Sequence, residues 1–407
     1  MCIKTKTLIP SRICTYAKTP WVPPSETAVR ELERGFAWQP RLDPLQNEVV
    51  IPIAKSRYRS GLLKTAFRPH GIRPLQTQES RWTERKESGV DLNFINSSAA
   101  LLAAIVIPSD VIWSYSVFAL VCIAGVATIF LRGDWARARG IDKLILFGPI
   151  FYAAPLGGFG AEHFTQSAGI ASIVPKFIPW HMFWALFVGA CFIAASFSLV
   201  TRIQARLSAS LVALTFFLFV LLMDAPGWAT QPGNRFFAIL TLRELSFSGG
   251  ALALAATLAA QERVEGAHIF ATIARYFVGI PVLFYSIEQF LHADHVPGVP
   301  LEPLTPAYIY GHSLWSYVAA IGYLVAGILL LIGKKTRTAA TLAALSVLLI
   351  ELVVYLPIAV VQRASLDNGF NYMADTLMFC GAVFLLAGAM PREEAPRTAF
   401  ATAPHAV

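Results

Sequence analysis

The sequence predicts an all-α integral membrane protein with about nine transmembrane helices: two tandem, parallel four-helix bundles plus one extra N-terminal helix. Three observations predict it. The chain is 56% apolar and only 14% charged, with a mean hydropathy of +0.56, where a soluble domain carries about a quarter charged residues. Charge is also segregated, 16 of the 33 Lys and Arg lying before residue 98. Beyond that point, apolar segments recur that are long enough to cross a hydrocarbon core requiring about 20 residues per helix.

Residues 1–97 are rich in Arg, Lys, Pro, Ser and Thr without a sustained period, and are expected to form a disordered basic tail. No short cationic n-region leads into an apolar h-region, so no signal peptide is expected. The net charge of +8 resides largely in this tail and points to an anionic lipid surface or solvent, not to nucleic acid. Residues 98–142 form an N-terminal transmembrane segment and a basic link. Pro108-Ser109-Asp110 interrupts this segment, and Val111 to Leu131 is long enough to span. The stretch before the break is too short to span and reads as an interfacial or re-entrant helix.

Eight further apolar segments follow in two sets of four, at 144–164, 181–201, 206–226 and 236–260, then 275–292, 312–332, 337–361 and 370–390. They define repeat units over 143–262 and 274–391, followed by a C-terminal tail over 392–407. The repeat is visible in its landmarks. His181-Met182-Phe183-Trp184 matches His312-Ser313-Leu314-Trp315, Arg206 matches Arg337 and Pro226 matches Pro357, all at an offset of 131. Gly160-Ala161-Glu162-His163-Phe164 and Ser286-Ile287-Glu288-Gln289-Phe290 close the first helix of each set. An even number of spans per copy gives both copies one orientation, related by an axis along the membrane normal.

Links after 131, 201, 260, 332 and 390 carry thirteen Lys and Arg, against three in the alternate links. The positive-inside rule then places the former, and the C-terminus, in the cytoplasm of a bacterium, with the protein multi-pass in the inner membrane. The basic tail conflicts with this rule, because a single span ending at Arg132 would leave it on the opposite side.

An acidic residue closing helix one, a tight basic link between helices two and three, and a Pro near the end of helix three resemble the DoxX-like family, once per repeat, over about 143–390. That family takes its name from a membrane subunit of a thiosulfate:quinone oxidoreductase. The resemblance therefore implies a quinone- or redox-linked role and a membrane oxidoreductase partner by association.

Two groups of residues are candidates for chemistry. Glu162, His163, His181, Glu288, His292 and His312 gather at the outer ends of the first two helices of each copy. They read as a Glu–His hydrogen bond pinning a loop over each bundle mouth, or as a proton or quinone-headgroup site. Within the spans lie Arg243, Glu244, Glu351 and Asp375. An ionisable group at mid-span costs at least about 2.5–3.5 kcal/mol and normally faces a partner or cavity. Arg243 is positioned to pair with Asp375 across the repeat interface as structural glue, while Glu351 has no evident cation at its depth and is the better functional candidate. Pro281 and the Gly157-Gly158 pair are placed to kink the first helices.

No HxxxH or HExxH spacing suggests a metal, and no P-loop, GxGxxG or GxSxG signature suggests a soluble cofactor or nucleophile. The five cysteines, Cys2, Cys14, Cys122, Cys191 and Cys380, form no CxxC and no disulfide framework. No cofactor is evident beyond a quinone, and nothing marks the chain as an enzyme. The leading expectation is an accessory, quinone- or redox-linked membrane subunit. A proton-coupled or small-solute transporter and a structural scaffold stand beside it.

Overall fold

The computed structural model describes residues 108–296 and 309–392. The expected tail over 1–97, the stretch over 98–107 and all but the first residue of the C-terminal tail lie outside the described residues. Among the described residues the fold is helical without β-strand, and nine helices are long and apolar enough to cross a membrane. They are α1 (Ser109–Leu131), α2 (Asp142–Thr165), α3 (His181–Thr201), α4 (Ala205–Thr230) and α5 (Arg235–Gln261), then α6 (Ala267–Leu291), α7 (His312–Ile332), α8 (Thr336–Val361) and α9 (Leu366–Ala389). A helix is what such apolar runs require, since in lipid every backbone N–H and C=O must be satisfied within the segment. Successive spans alternate in direction. The ends at Leu131, Thr201, Gln261, Ile332 and Ala389 define a basic face; those at Thr165, Thr230, Leu291 and Val361 define a histidine face.

The 131-residue offset runs through the elements themselves. α3 and α7 start and end at corresponding positions, as do α4 and α8, and α5 and α9 begin at corresponding residues. The links joining α3 to α4 and α7 to α8 share their backbone conformation. Arg202 and Gln204 have φ of +64° and +55°, and their counterparts Gly333 and Lys335 have +74° and +47°. The first helices follow a different offset. Pro155 and Glu162 of α2 correspond to Pro281 and Glu288 of α6 at a spacing of 126. The difference is taken up in the loop that follows, which is five residues longer after α6.

Both third helices contain a π-turn, at Val220–Asp224 in α4 and Glu351–Tyr355 in α8. Pro226 and Pro357 explain them. A proline has no N–H for the carbonyl four residues back and its ring crowds that carbonyl, here Leu222 and Val353, each in the middle of a π-turn. Widening the turn by one residue removes the crowding, and it re-aims the side chains on either side of the insertion.

α2, α5 and α9 are the most enclosed spans, whereas α1 is the least, packed on the side of α2 and α3. Each set's first helix packs on the other's fourth, α2 on α9 and α6 on α5, and α5 meets α9 between them. Small residues permit this approach. A Cβ on Gly381 would lie 2.8 Å from Tyr152 Cα, so α2 and α9 touch backbone to backbone. One apolar core, including Leu156, Phe247, Val278, Phe379 and Phe384, runs through both sets.

α6 begins at Ala267, eight residues before the apolar run that marked it in the sequence. The extra turns carry His268 at the basic face and lead into Arg275. Arg275 stays inside the helix because its guanidinium caps α7, donating to the Leu330 carbonyl at 2.7 Å.

Candidate functional site

The fourth helices position the first part of the site. Arg243 lies eight residues into α5, about 12 Å below the histidine face at 1.5 Å per residue. Its Nη1 donates to Asp375 Oδ2 on α9 at 2.5 Å, and its Nη2 donates to Glu244 Oε1 at 3.0 Å. The guanidinium also sits 5.9 Å from the Phe247 ring centroid. Glu244 is the 131-residue counterpart of Asp375, so one arginine from the first set is held between the two equivalent carboxylates. The contact between α5 and α9 thus carries a charge-assisted pair.

Further acids surround this pair. Asp224, the last residue of the α4 π-turn, is buried within electrostatic range of Arg243 and Glu244. Glu162, buried near the end of α2, lies within range of Asp375 and hydrogen-bonding reach of the Asn371 side chain. Tyr285 of α6 is fully buried within electrostatic range of Arg243 and Tyr323, while Tyr152 of α2 donates to the Phe247 carbonyl at 2.8 Å.

Glu351 opens the π-turn of α8, ten residues and about 15 Å from its histidine-face end. It is 4% exposed, near Tyr355 and Cys380, with Tyr323 linking this neighbourhood to Tyr285. Acids at graded depths and buried tyrosines therefore form one polar line inside the bundle, from Glu162 to Glu351. Many of its polar atoms have no hydrogen-bond partner among the described residues, including Glu162 Oε1, Asp224 Oδ2, Glu244 Oε2, Tyr285 Oη, Tyr323 Oη and Glu351 Oε2.

At the mouth, Glu288 receives Arg235 Nε at 2.5 Å and has His292 Nε2 at 3.9 Å. The His292 ring is 5.5 Å from that of His295, which holds Asp294 Oδ1 at 2.9 Å. This hydrogen bond from His295 holds the exposed Asp294 carboxyl below its ordinary range. His312 opens α7 exposed, with the Ser313 hydroxyl 3.2 Å from its Nδ1. His163 contacts the Phe159 carbonyl through Nδ1 at 2.8 Å and packs edge-on against Phe192. His181 opens α3, half-buried. The structure therefore brings Glu288 to Arg235 and His292, and Glu162 to Asn371, and among the described residues neither His181 nor His312 forms an ion pair with these acids.

Sequence reasoning missed Asp224, Arg235, Asn371 and the tyrosines. Asp224 had a signal, standing two residues before the landmark Pro226 in an otherwise apolar run. Tyrosine and asparagine in a span carry little signal, since their polarity matters only once burial is known. Among the described residues no three His, Cys, Asp or Glu are grouped to hold a metal ion.

Fold and site together define a polytopic α-helical membrane protein with a charged interior. Within it, residues 270–356, from α6 to the π-turn of α8, match the family model described as DoxX and form a DoxX domain. The match covers the second set alone. No curated protein and no solved structure matches the chain.

Proposed function

We propose that both four-helix sets are copies of a DoxX-like unit and that the protein is a proton-coupled carrier of a small polar solute. In this reading protons and solute reach the Arg243–Asp375 seam and Glu351 from the histidine face. The observation that carries it is the set of buried polar atoms along that line that have no hydrogen-bond partner among the described residues. Each such atom costs about 1–3 kcal/mol if left unsatisfied, and native proteins leave few of them. A scaffold gains nothing from this expense. A path that admits water, protons or a polar ligand supplies the partners and explains why the groups cluster. Beyond Thr376, α9 buries apolar side chains toward the basic face, among them Phe379, Val383, Phe384 and Leu386. The line is thus open in chemistry toward one face and closed toward the other, as a carrier requires and an open pore does not.

The mouth supports a second reading. Glu288, Arg235 and His292 together offer a carboxylate, a fixed cation and a titratable ring to a quinone headgroup. That arrangement, with the DoxX match beside it, favours an accessory subunit of a membrane oxidoreductase. Proteoliposomes separate the two readings. A panel of small organic acids and cations is added outside, and proton movement is followed with a pH-sensitive dye. Solute-driven proton movement abolished in Glu351→Gln supports the carrier. No movement with any solute, combined with saturable binding of a short-chain quinone that is lost in Glu288→Gln, replaces it with the second reading.

A further inference from the structure

On the opposite, basic face a cavity of about 670 Å³ opens between segments from both sets. Its rim holds five arginines brought from four separate parts of the chain: Arg137 and Arg139, Arg202, Arg337 and Arg392. Two carboxylates stand among them. Asp142 accepts from Arg337 and from Arg392, each at 2.6 Å. Asp134 pairs with Arg137 and with Arg202, the latter at 2.7 Å. Five cations over two anions leave an excess of positive charge. Arg139 is exposed and reaches no carboxylate among the described residues. Beneath the rim the walls turn apolar, with Ile145, Leu146, Leu254, Leu258, Phe384 and Leu385.

We infer that this cavity is a binding site for the phosphate headgroup of an anionic phospholipid. The chemistry is specific in two respects. Guanidinium forks held by neighbouring carboxylates are pre-oriented for the oxygens of a phosphate diester, which a single mobile lysine is not. The site also lies at the ends of α3, α5 and α9, where an arginine rim passes directly to an apolar floor. A free phosphate has no use for that floor, whereas a lipid presents its acyl chains to it. The Arg337–Asp142–Arg392 bridge ties the start of α8, the start of α2 and the end of α9. A bound headgroup therefore sits on the junction of the two sets.

The test uses the full chain purified in detergent, with native mass spectrometry as the readout. The probes are dioleoyl phosphatidylglycerol, dioleoyl phosphatidylcholine and inorganic phosphate. Retention of phosphatidylglycerol over phosphatidylcholine is expected. Its affinity should fall roughly five-fold in Arg139→Gln and further in the Arg139→Gln/Arg392→Gln double variant. Among the described residues Arg139 holds no ion pair to lose, and an unchanged melting temperature in detergent separates the single variant from a folding defect. Equal retention of both lipids, undiminished phosphatidylglycerol binding in the double variant, or displacement of phosphatidylglycerol by millimolar phosphate would each overturn the assignment.

Discussion

Arg243 and Asp375, 132 positions apart, meet at 2.5 Å where α5 crosses α9. Asp375 is buried and Arg243 largely so, between the two most enclosed helices, and Glu244 on the arginine's other side is the positional twin of Asp375. The contact therefore joins the two sets and places three charges where a membrane interior penalises each of them.

Removing one partner of a buried pair leaves the other uncompensated, which costs about 3–5 kcal/mol. Asp375→Leu and Arg243→Met should each destabilise the protein by about that much in unfolding measurements in detergent. The double variant should be less destabilised than the two single effects added together, because no lone charge from this pair remains. Strict additivity would show that the two residues do not interact.

The π-turn in α8 is attributed to Pro357. Pro357→Ala restores the missing N–H and relieves the crowding at Val353, so the turn should close to ordinary α-helix. Each helical residue turns the face by about 100°, which moves Glu351 off the polar line. The expected outcome is a protein as stable as the original, or more so, that has lost solute-driven proton movement in proteoliposomes. Unimpaired movement would mean that the π-turn does not position Glu351.

Gly381 lets α9 lie on the α2 backbone. Gly381→Ala forces an added methyl into that contact and should cost about 1–3 kcal/mol, read as a lowered melting temperature. The lipid-facing Gly322, where an added Cβ meets nothing within 4 Å, is the control: Gly322→Ala should leave stability unchanged or slightly raised.

Much of the fold was legible because span length, hydropathy and the 131-residue landmarks are one-dimensional signals. His181 and His312 open helices that correspond residue for residue. The Arg243–Asp375 pair was legible for the same reason: charges are rare in spans, and equivalent positions approach near the axis. What the sequence could not convey is direction. Glu288 has Arg235, at the start of a different helix, as its partner, and the spacing of His312 in the chain says nothing of which way its loop runs. The early start of α6 was obscured because the polar His268 and Thr272 stand in its first turns while remaining helical. The π-turns were missed because a proline near a helix end ordinarily reads as termination, whereas here the helix widens and continues.

The most direct test of a hydrated, charge-lined interior is water-edited solid-state NMR of the protein in bilayers, with carbon-13 in the Asp and Glu side chains. The Glu351 and Asp375 carboxyl signals would be assigned by their loss in Glu351→Gln and Asp375→Asn. The account predicts that both carboxyl carbons receive magnetisation rapidly from water, despite lying about 13–15 Å along their helices from the histidine-face ends. Transfer to them from protein and lipid protons alone, with none from water, would contradict it.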